Sequence, residues 1–472
     1  MTEYPYIDKI VKQLKLNSFS VFCGAGASAD ATHKKWIDIF SETTKQFFDA
    51  EFSKDIYYLA DLEKNYYNSS SFFQDIEEKL TVESSVSNHI EAIINLNLNQ
   101  IWTTNFDNVI ESTIERRFGT KPTVIKNTND LFNQPFDNAY TVYKLNGSIE
   151  DINSMVLTKS DFLEYAKKQR LVFELLKRQL VFDSFLFVGY SFEDNLVLNA
   201  LREIKDVFPE KGKEHFRFSI METNREKDKD KGDGIKKLRK TYDTYENNYF
   251  EDKYNIHTII LDRYEDIDDY LLETYKRFCN SNIFICGSFR HISNEMRIFI
   301  EKIVDALIER LLSSGFRVYS GNGRGLGEIV VAQMNSHTQN YALSSIPFVN
   351  RPYIFTGDST ETKQIKNKKI LKDCNTMIVI CGQDDKLEAS ENVKAQVSLF
   401  LDKKDTSIEP IVIPIPKTGY AAKDSTVWKK IRNTQAYKQN KSDFDHLINC
   451  DEPQEIVEII MGIILQYRSE PY

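Results

Sequence analysis

Four short segments in the first half of this chain carry residues that could do chemistry on a nucleotide. FCGAGAS joins an apolar strand to helical sequence, and Gly24 and Gly26 would let the backbone approach a pyrophosphate, with Ala25 and Ser28 in the same turn. A small-residue turn of this kind serves packing as readily as phosphate binding. IWTTNFDN places Thr104, Asn105 and Asp107 at the end of a second strand, YKLNGS places Asn146, Gly147 and Ser148 at a third, and FVGYSFED places Gly189, Ser191 and Asp194 at a fourth. Read singly, each is an ordinary polar loop, with Asp107 a turn cap. Four such edges in one domain point to ligand binding, because open α/β sheets bind ligands at the carboxyl ends of their strands.

The second half repeats the pattern with different residues. CGSFR supplies Gly287, Ser288 and Arg290, and YSGNGRGLGE supplies Gly321, Gly323 and Arg324 ahead of a helix. The alternating glycines do not make the GxGxxG dinucleotide fingerprint, yet a glycine turn at a helix N-terminus makes a good anion nest. In ICGQDDKLEASENVKAQ, Gly382 ends a strand and Ser390 is placed to cap the next helix. Arg290, Arg324 and Arg351 are cationic candidates. The lysines of KQIKNKKILKD read better as a solvated face.

Positioning these turns requires two α/β domains. The predicted architecture is two Rossmann-like domains, each a mainly parallel sheet flanked by helices, over residues 1–280 and 281–472. Helical spacing in WIDIFSETTKQFF, YYLADLEKNYY and FFQDIEEKL predicts a helical insertion near residues 33–97. The run from Arg225 to Lys240 is almost all charge and reads as a solvated loop or frayed helix. Ile300, Ile303, Val304, Leu307 and Leu311 give one helix of the second domain an apolar stripe. The late segment IVEIIMGIILQY reads as an amphipathic helix suited to the core or to contacts between copies, and too short to span a membrane.

Composition narrows the function classes. Within 472 residues, 28% are charged and 41% hydrophobic, which excludes both a membrane-embedded and a wholly disordered chain. With 61 basic against 70 acidic residues the net charge is −9, so no general attraction for nucleic acid is expected. Only Cys23 of six cysteines precedes residue 279, so the first half cannot build a cysteine zinc site. The start shows no secretory signal, and a reduced, cytoplasmic protein without metal is expected.

The order GAGAS, TTNFD, KLNGS and GYSF resembles the sirtuin fold over roughly residues 15–275. That resemblance implies NAD+ as substrate, with Gly24, Ala25, Gly26, Ser28, Thr104, Gly189 and Ser191 holding the dinucleotide. It also implies that Asn105 orients the ribose or the water, and that Asp107 meets the carboxamide or the developing positive charge. The missing four-cysteine zinc element argues against protein deacylation and for NAD+ cleavage with water as acceptor. Asn146 stands where the sirtuin pattern has histidine. An amide removes the general base while keeping a hydrogen-bonding group of similar size. An engineered and a natural weakening are both open.

Residues 282–467 resemble the SLOG superfamily of nucleotide-signal sensors, which implies that Gly287, Ser288, Arg290, Gly321, Gly323, Arg324 and Gly382 hold a regulatory ligand. The combination resembles the effectors of the Thoeris anti-phage system. It implies a cyclic ADP-ribose isomer as activator, a TIR-domain partner that makes it, and a homotetramer or larger assembly, with neither nucleic acid nor membrane as partner. A non-catalytic NAD- or ADP-ribose-binding module is the alternative. A LOG-like phosphoribohydrolase lacks its PGGxGTxxE signature here, and a deacylase ranks last.

Overall fold

The structure is a computed structural model that describes residues 4–32, 36–53, 55–80, 86–96, 98–132, 140–151, 154–192, 196–208, 212–220, 233–339, 341, 347–350, 371–402 and 409–469. Its contacts divide the chain into two compact units, residues 18–274 with the first fourteen residues, and residues 275–472 with Lys15–Asn17. The division falls inside the helix Asp266–Asn280. Tyr275 and Cys279, near the end of that helix, hydrogen-bond the carbonyl of Lys372 and so belong to the second unit.

The first unit is built on seven strands: β1 (Phe19–Cys23), β2 (Gln100–Thr103), β3 (Thr123–Ile125), β4 (Thr141–Lys144), β5 (Ser184–Val188), β6 (His215–Ile220) and β7 (Ile256–Leu261). All pairings are parallel, in the order β3-β4-β2-β1-β5-β6-β7. Without the short edge strand β3, this is the Rossmann order, with its reversal between β1 and β5. Strands buried on both faces need apolar side chains throughout, and FSVFC and SFLFV are buried at every position.

Between β1 and β2 the chain forms the helices Glu42–Asp49, Ile56–Tyr67, Ser69–Leu80 and Asn88–Asn95. WIDIFSETTKQFF is not one helix. A 3-10 turn over Trp36–Ile39 is followed by a break at Ser41, whose hydroxyl caps Thr44 while its amide donates to the buried Glu63 carboxylate.

The second unit has five parallel strands, β8 (Asn282–Cys286), β9 (Arg317–Ser320), β10 (Phe348–Asn350), β11 (Thr376–Ile380) and β12 (Ile411–Ile415), in the order β10-β9-β8-β11-β12. This is the same winding, reversing between β8 and β11. Pro414 is tolerated because β12 is an edge strand. The predicted stripe on the helix Asn294–Ser313 is buried. The helix Pro453–Ser469 buries Ile456, Val457, Ile460, Met461, Ile463 and Ile464 in the same core, so one face of IVEIIMGIILQY has the expected core role.

The first half of the charged run, together with Arg351, Asp194 and the first eight residues of KQIKNKKILKD, lies outside the described residues. From Asp233 onward the run is helical, in a helix that continues to Tyr254.

Candidate functional site

Register brings the four polar edges of the first unit to one level. Cys23 pairs with Thr103 of β2 and Val188 of β5, and Thr103 pairs with Lys144 of β4. The next residues, Gly24, Thr104, Leu145 and Gly189, therefore leave the sheet together at its carboxyl end, on both sides of the reversal point.

The glycines have an immediate packing reason. Gly24 N and Gly26 N donate to the carbonyls of Val188 and Gly189. A Cβ at Gly24 would lie 2.4 Å from the Gly189 carbonyl oxygen, and one at Gly189, whose φ is +63°, would lie 2.1 Å from the Ala27 nitrogen. The β1 and β5 turns thus touch backbone to backbone, which would hold whether or not a phosphate bound beside them. Ala25 and Ser191 are exposed at the rim, Gly26 and Thr104 are half-buried, and Ser28 is buried.

Asn105 and Asp107 are tied into this turn. Asn105 Nδ2 donates to Gly24 O and Ser28 Oγ, both at 3.0 Å, and Ser28 Oγ donates to Asp107 Oδ2 at 2.9 Å. Asp107 Oδ1 accepts from Val109 N at 3.1 Å, so the turn-cap role is real and coexists with the contact to Ser28. Asn105 is 5% exposed. Asn146 is 2% exposed, two residues beyond Lys144 just as Asn105 is two beyond Thr103. The Oδ1 atoms of both asparagines are buried without a hydrogen-bond partner among the described residues. A buried acceptor left unmade costs about 1–3 kcal/mol, and such groups are normally met by a ligand or water.

Lys144 escaped the sequence reading. Its side chain is fully buried, and Nζ donates to the carbonyls of Phe106 (3.1 Å) and Asp107 (2.6 Å) and pairs with Glu111 at 2.8 Å. It fastens the TTNFD segment to β4. Burial pushes the Glu111 carboxyl above its ordinary range, and the Lys144 ammonium opposes that shift. Removing one partner of a buried pair costs about 3–5 kcal/mol because the other charge is stranded. Lys144→Met is therefore expected to lower the thermal midpoint sharply, and Lys144→Met combined with Glu111→Leu to recover most of the loss. Equal destabilisation by single and double variants would contradict the pairing.

In the second unit the turns after β8, β9 and β11 surround a cleft of about 420 Å³. It is lined by Gly287, Ser288, Arg290, Gly321, Gly323 and Arg324 of the predicted set. Gly382 lies directly behind the lining, its N–H bonded to Ser288 O at 3.0 Å. Ser390 heads the helix Glu391–Leu401, but its side chain makes no capping bond and lines the cleft instead. Gln383, also missed from sequence, pins the β8 turn: its Oε1 accepts from Arg290 N and His291 N, and its Nε2 donates to His291 O. Arg290 and Arg324 both donate to Asp385 Oδ1, at 3.0 and 2.8 Å. A Cβ on Gly323 would sit 2.0 Å from the Gly287 carbonyl oxygen, so this glycine too is required by packing.

Among the described residues no group of three or more His, Cys, Asp or Glu side chains is placed to hold a metal ion, and no helix is long and apolar enough to cross a membrane.

Residues 99–259 match the SIR2-like domain, and residues 266–467 match the Sir2- and TIR-associating SLOG family. The chain thus carries a region that matches the SIR2-like domain, followed by one that matches that SLOG family. Over nearly its whole length it is similar to the protein named NAD(+) hydrolase ThsA of Enterococcus faecium, at 27% identity over 98% of this chain and 99% of that protein. The protein of the same name from Cytobacillus dafuensis is 26% identical over 98% of this chain and 96% of its own length. Defense-associated sirtuin 2 of Bacillus subtilis is 23% identical over 43% of this chain and 21% of that protein.

Proposed function

We propose that this chain is an NAD+ glycohydrolase of anti-phage defence, in which the first domain cleaves NAD+ and the second binds a cyclic ADP-ribose isomer made by a TIR-domain partner. The observation that carries the first part is the pair of unsatisfied amide oxygens, Asn105 Oδ1 and Asn146 Oδ1, buried at the ends of the neighbouring strands β2 and β4 on the carboxyl edge of the sheet. The ribose hydroxyls of a dinucleotide would supply the missing donors. The cleft with Arg290 and Arg324 suits an anionic nucleotide in the second domain. The names of the relatives support NAD+ as the substrate.

In the reaction the N-glycosidic C–N bond breaks, nicotinamide leaves with the electron pair, and water adds to the ribose to give ADP-ribose and a proton. Asn105 orients the ribose or the attacking water. Asp107 stabilises the positive charge that develops on the ribose. Burial, and then the nearby Asp107, push the Cys23 thiol upward, so it stays neutral in this environment. The six cysteines are free and buried, which suits a reducing cytoplasm. Homo-oligomeric assembly completes the reading.

Asn105→Ala tests the assignment. Nicotinamide release is expected to fall about a hundredfold, since misplaced substrate loses rate on that scale. Because the variant loses two buried hydrogen bonds, about 1–3 kcal/mol of stability goes with it. Undiminished release from folded protein would remove Asn105 from the site. A second reading, a non-catalytic NAD-binding module, is favoured by Asn146, which cannot act as a base; absence of nicotinamide release with and without cyclic ADP-ribose would establish it.

A further inference from the structure

The helix Asp233–Tyr254 carries an exposed seam that none of the preceding chemistry uses. Its last turns are anchored inward: Phe250 and Tyr254 lie in the core, and Arg217 stacks on Phe250 at 3.9 Å while bonding Glu246 and Asn247. The other face shows Leu238, Tyr242, Tyr245 and Tyr249, which are 70%, 54%, 70% and 48% exposed. Their spacing of four, three and four residues is the seam of a helix that packs along another helix.

The seam is symmetric about its own centre. The midpoint of Leu238 and Tyr249 coincides with that of Tyr242 and Tyr245, between Asp243 and Thr244. Charge divides at the same point. Residues 233–242 hold four bases and one acid, and residues 243–254 hold four acids and one base. An antiparallel second copy would set Leu238 on Tyr249 and Tyr242 on Tyr245, with each basic half against the partner's acidic half. A parallel copy would oppose like charges along the whole length.

We infer that this helix face is an isologous interface that takes the same helix of a second copy of the chain, antiparallel about a two-fold axis between Asp243 and Thr244. Residues 222–232, just upstream, contain no apolar side chain. The four residues offer roughly 500 Å² of apolar surface per chain, about 1,000 Å² for the pair, the lower end for a specific interface. The inference does not depend on the enzymatic reading.

The test uses the full-length chain. Tyr242→Glu with Tyr245→Glu alters two exposed residues, so the thermal midpoint should stay within a few degrees while the particle mass from light scattering falls twofold. Leu238→Cys and Tyr249→Cys chains carrying different tags should form a disulfide with each other when mixed and oxidised. Neither should cross-link to itself, because each residue would lie about 16 Å along the axis from its own copy. The native thiols are buried. An unchanged mass in the charged variant, or a Leu238→Cys chain that cross-links to itself as fast as to Tyr249→Cys, would overturn the interface.

Discussion

Asn146→His is expected to raise nicotinamide release by about a hundred- to ten-thousand-fold, the range that a positioned general base contributes. The expectation rests on place and on chemistry. Asn146 follows β4 at the level where Asn105 follows β2, and its Oδ1 is buried without a partner among the described residues. An amide there can accept a hydrogen bond from a ribose hydroxyl but cannot take its proton. An imidazole, with an ordinary pKa near 6.5, can do both at neutral pH. Both forms should bind NAD+, so affinity changes little while turnover changes greatly. The asparagine form would then serve to trap the substrate complex. A histidine variant that folds, binds NAD+ and stays inactive with cyclic ADP-ribose present would show that position 146 is not the catalytic one, and the first domain would stand as a binding module.

The strands and their polar ends were legible because both sheets are buried on two faces. Runs such as FSVFC and TMIVI need no long-range information to declare themselves, and neither does a glycine or an asparagine placed just after one. The three-residue strands β3 and β10 were not legible, since segments so short and half-exposed leave no periodic signal. The helix Asp233–Tyr254 was only partly legible, its start reading as a solvated loop or frayed helix: Leu238, Tyr242, Tyr245 and Tyr249 face outward, so charge dominated the local composition.

Partnerships across the sequence were the larger gap. Lys144 holds carbonyls 37 and 38 positions away, and Gln383 holds amides more than 90 positions away. Nothing in the local pattern of KLNGS or CGQDD announces such contacts. The glycines of GAGAS and YSGNGRG were found for one reason and kept by another. Sequence marks where the backbone must come close, and the structure identifies the neighbour as a second turn, Gly189 in one unit and Gly287 in the other. In both units, therefore, the candidate site is built from turns that first satisfy each other. The two unpartnered asparagine oxygens, and the two arginines that share Asp385, are what a ligand would meet.

Replacing Arg290 and Arg324 together by alanine is expected to weaken ADP-ribose or cyclic ADP-ribose binding by about a hundred- to ten-thousand-fold, if each contributes a charge-assisted hydrogen bond of about 1.5–3 kcal/mol. In the structure both guanidinium groups close on one oxygen of Asp385, and all three side chains are about half-exposed or more. An ion pair in such solvent contact is worth about 0–1 kcal/mol. Opening it therefore costs an arriving phosphate little. Asp385 competes with that phosphate for the same donors, so Asp385→Asn should bind the nucleotide more tightly than the parent, while the double alanine variant loses it. The opposite signs separate this arrangement from general damage to the cleft, which would weaken binding in both. Ligand-induced thermal stabilisation of the full-length protein reads both effects by mass action. A double alanine variant that keeps the parent's thermal shift, or an Asp385→Asn variant that loses it, would place the nucleotide elsewhere in the second domain.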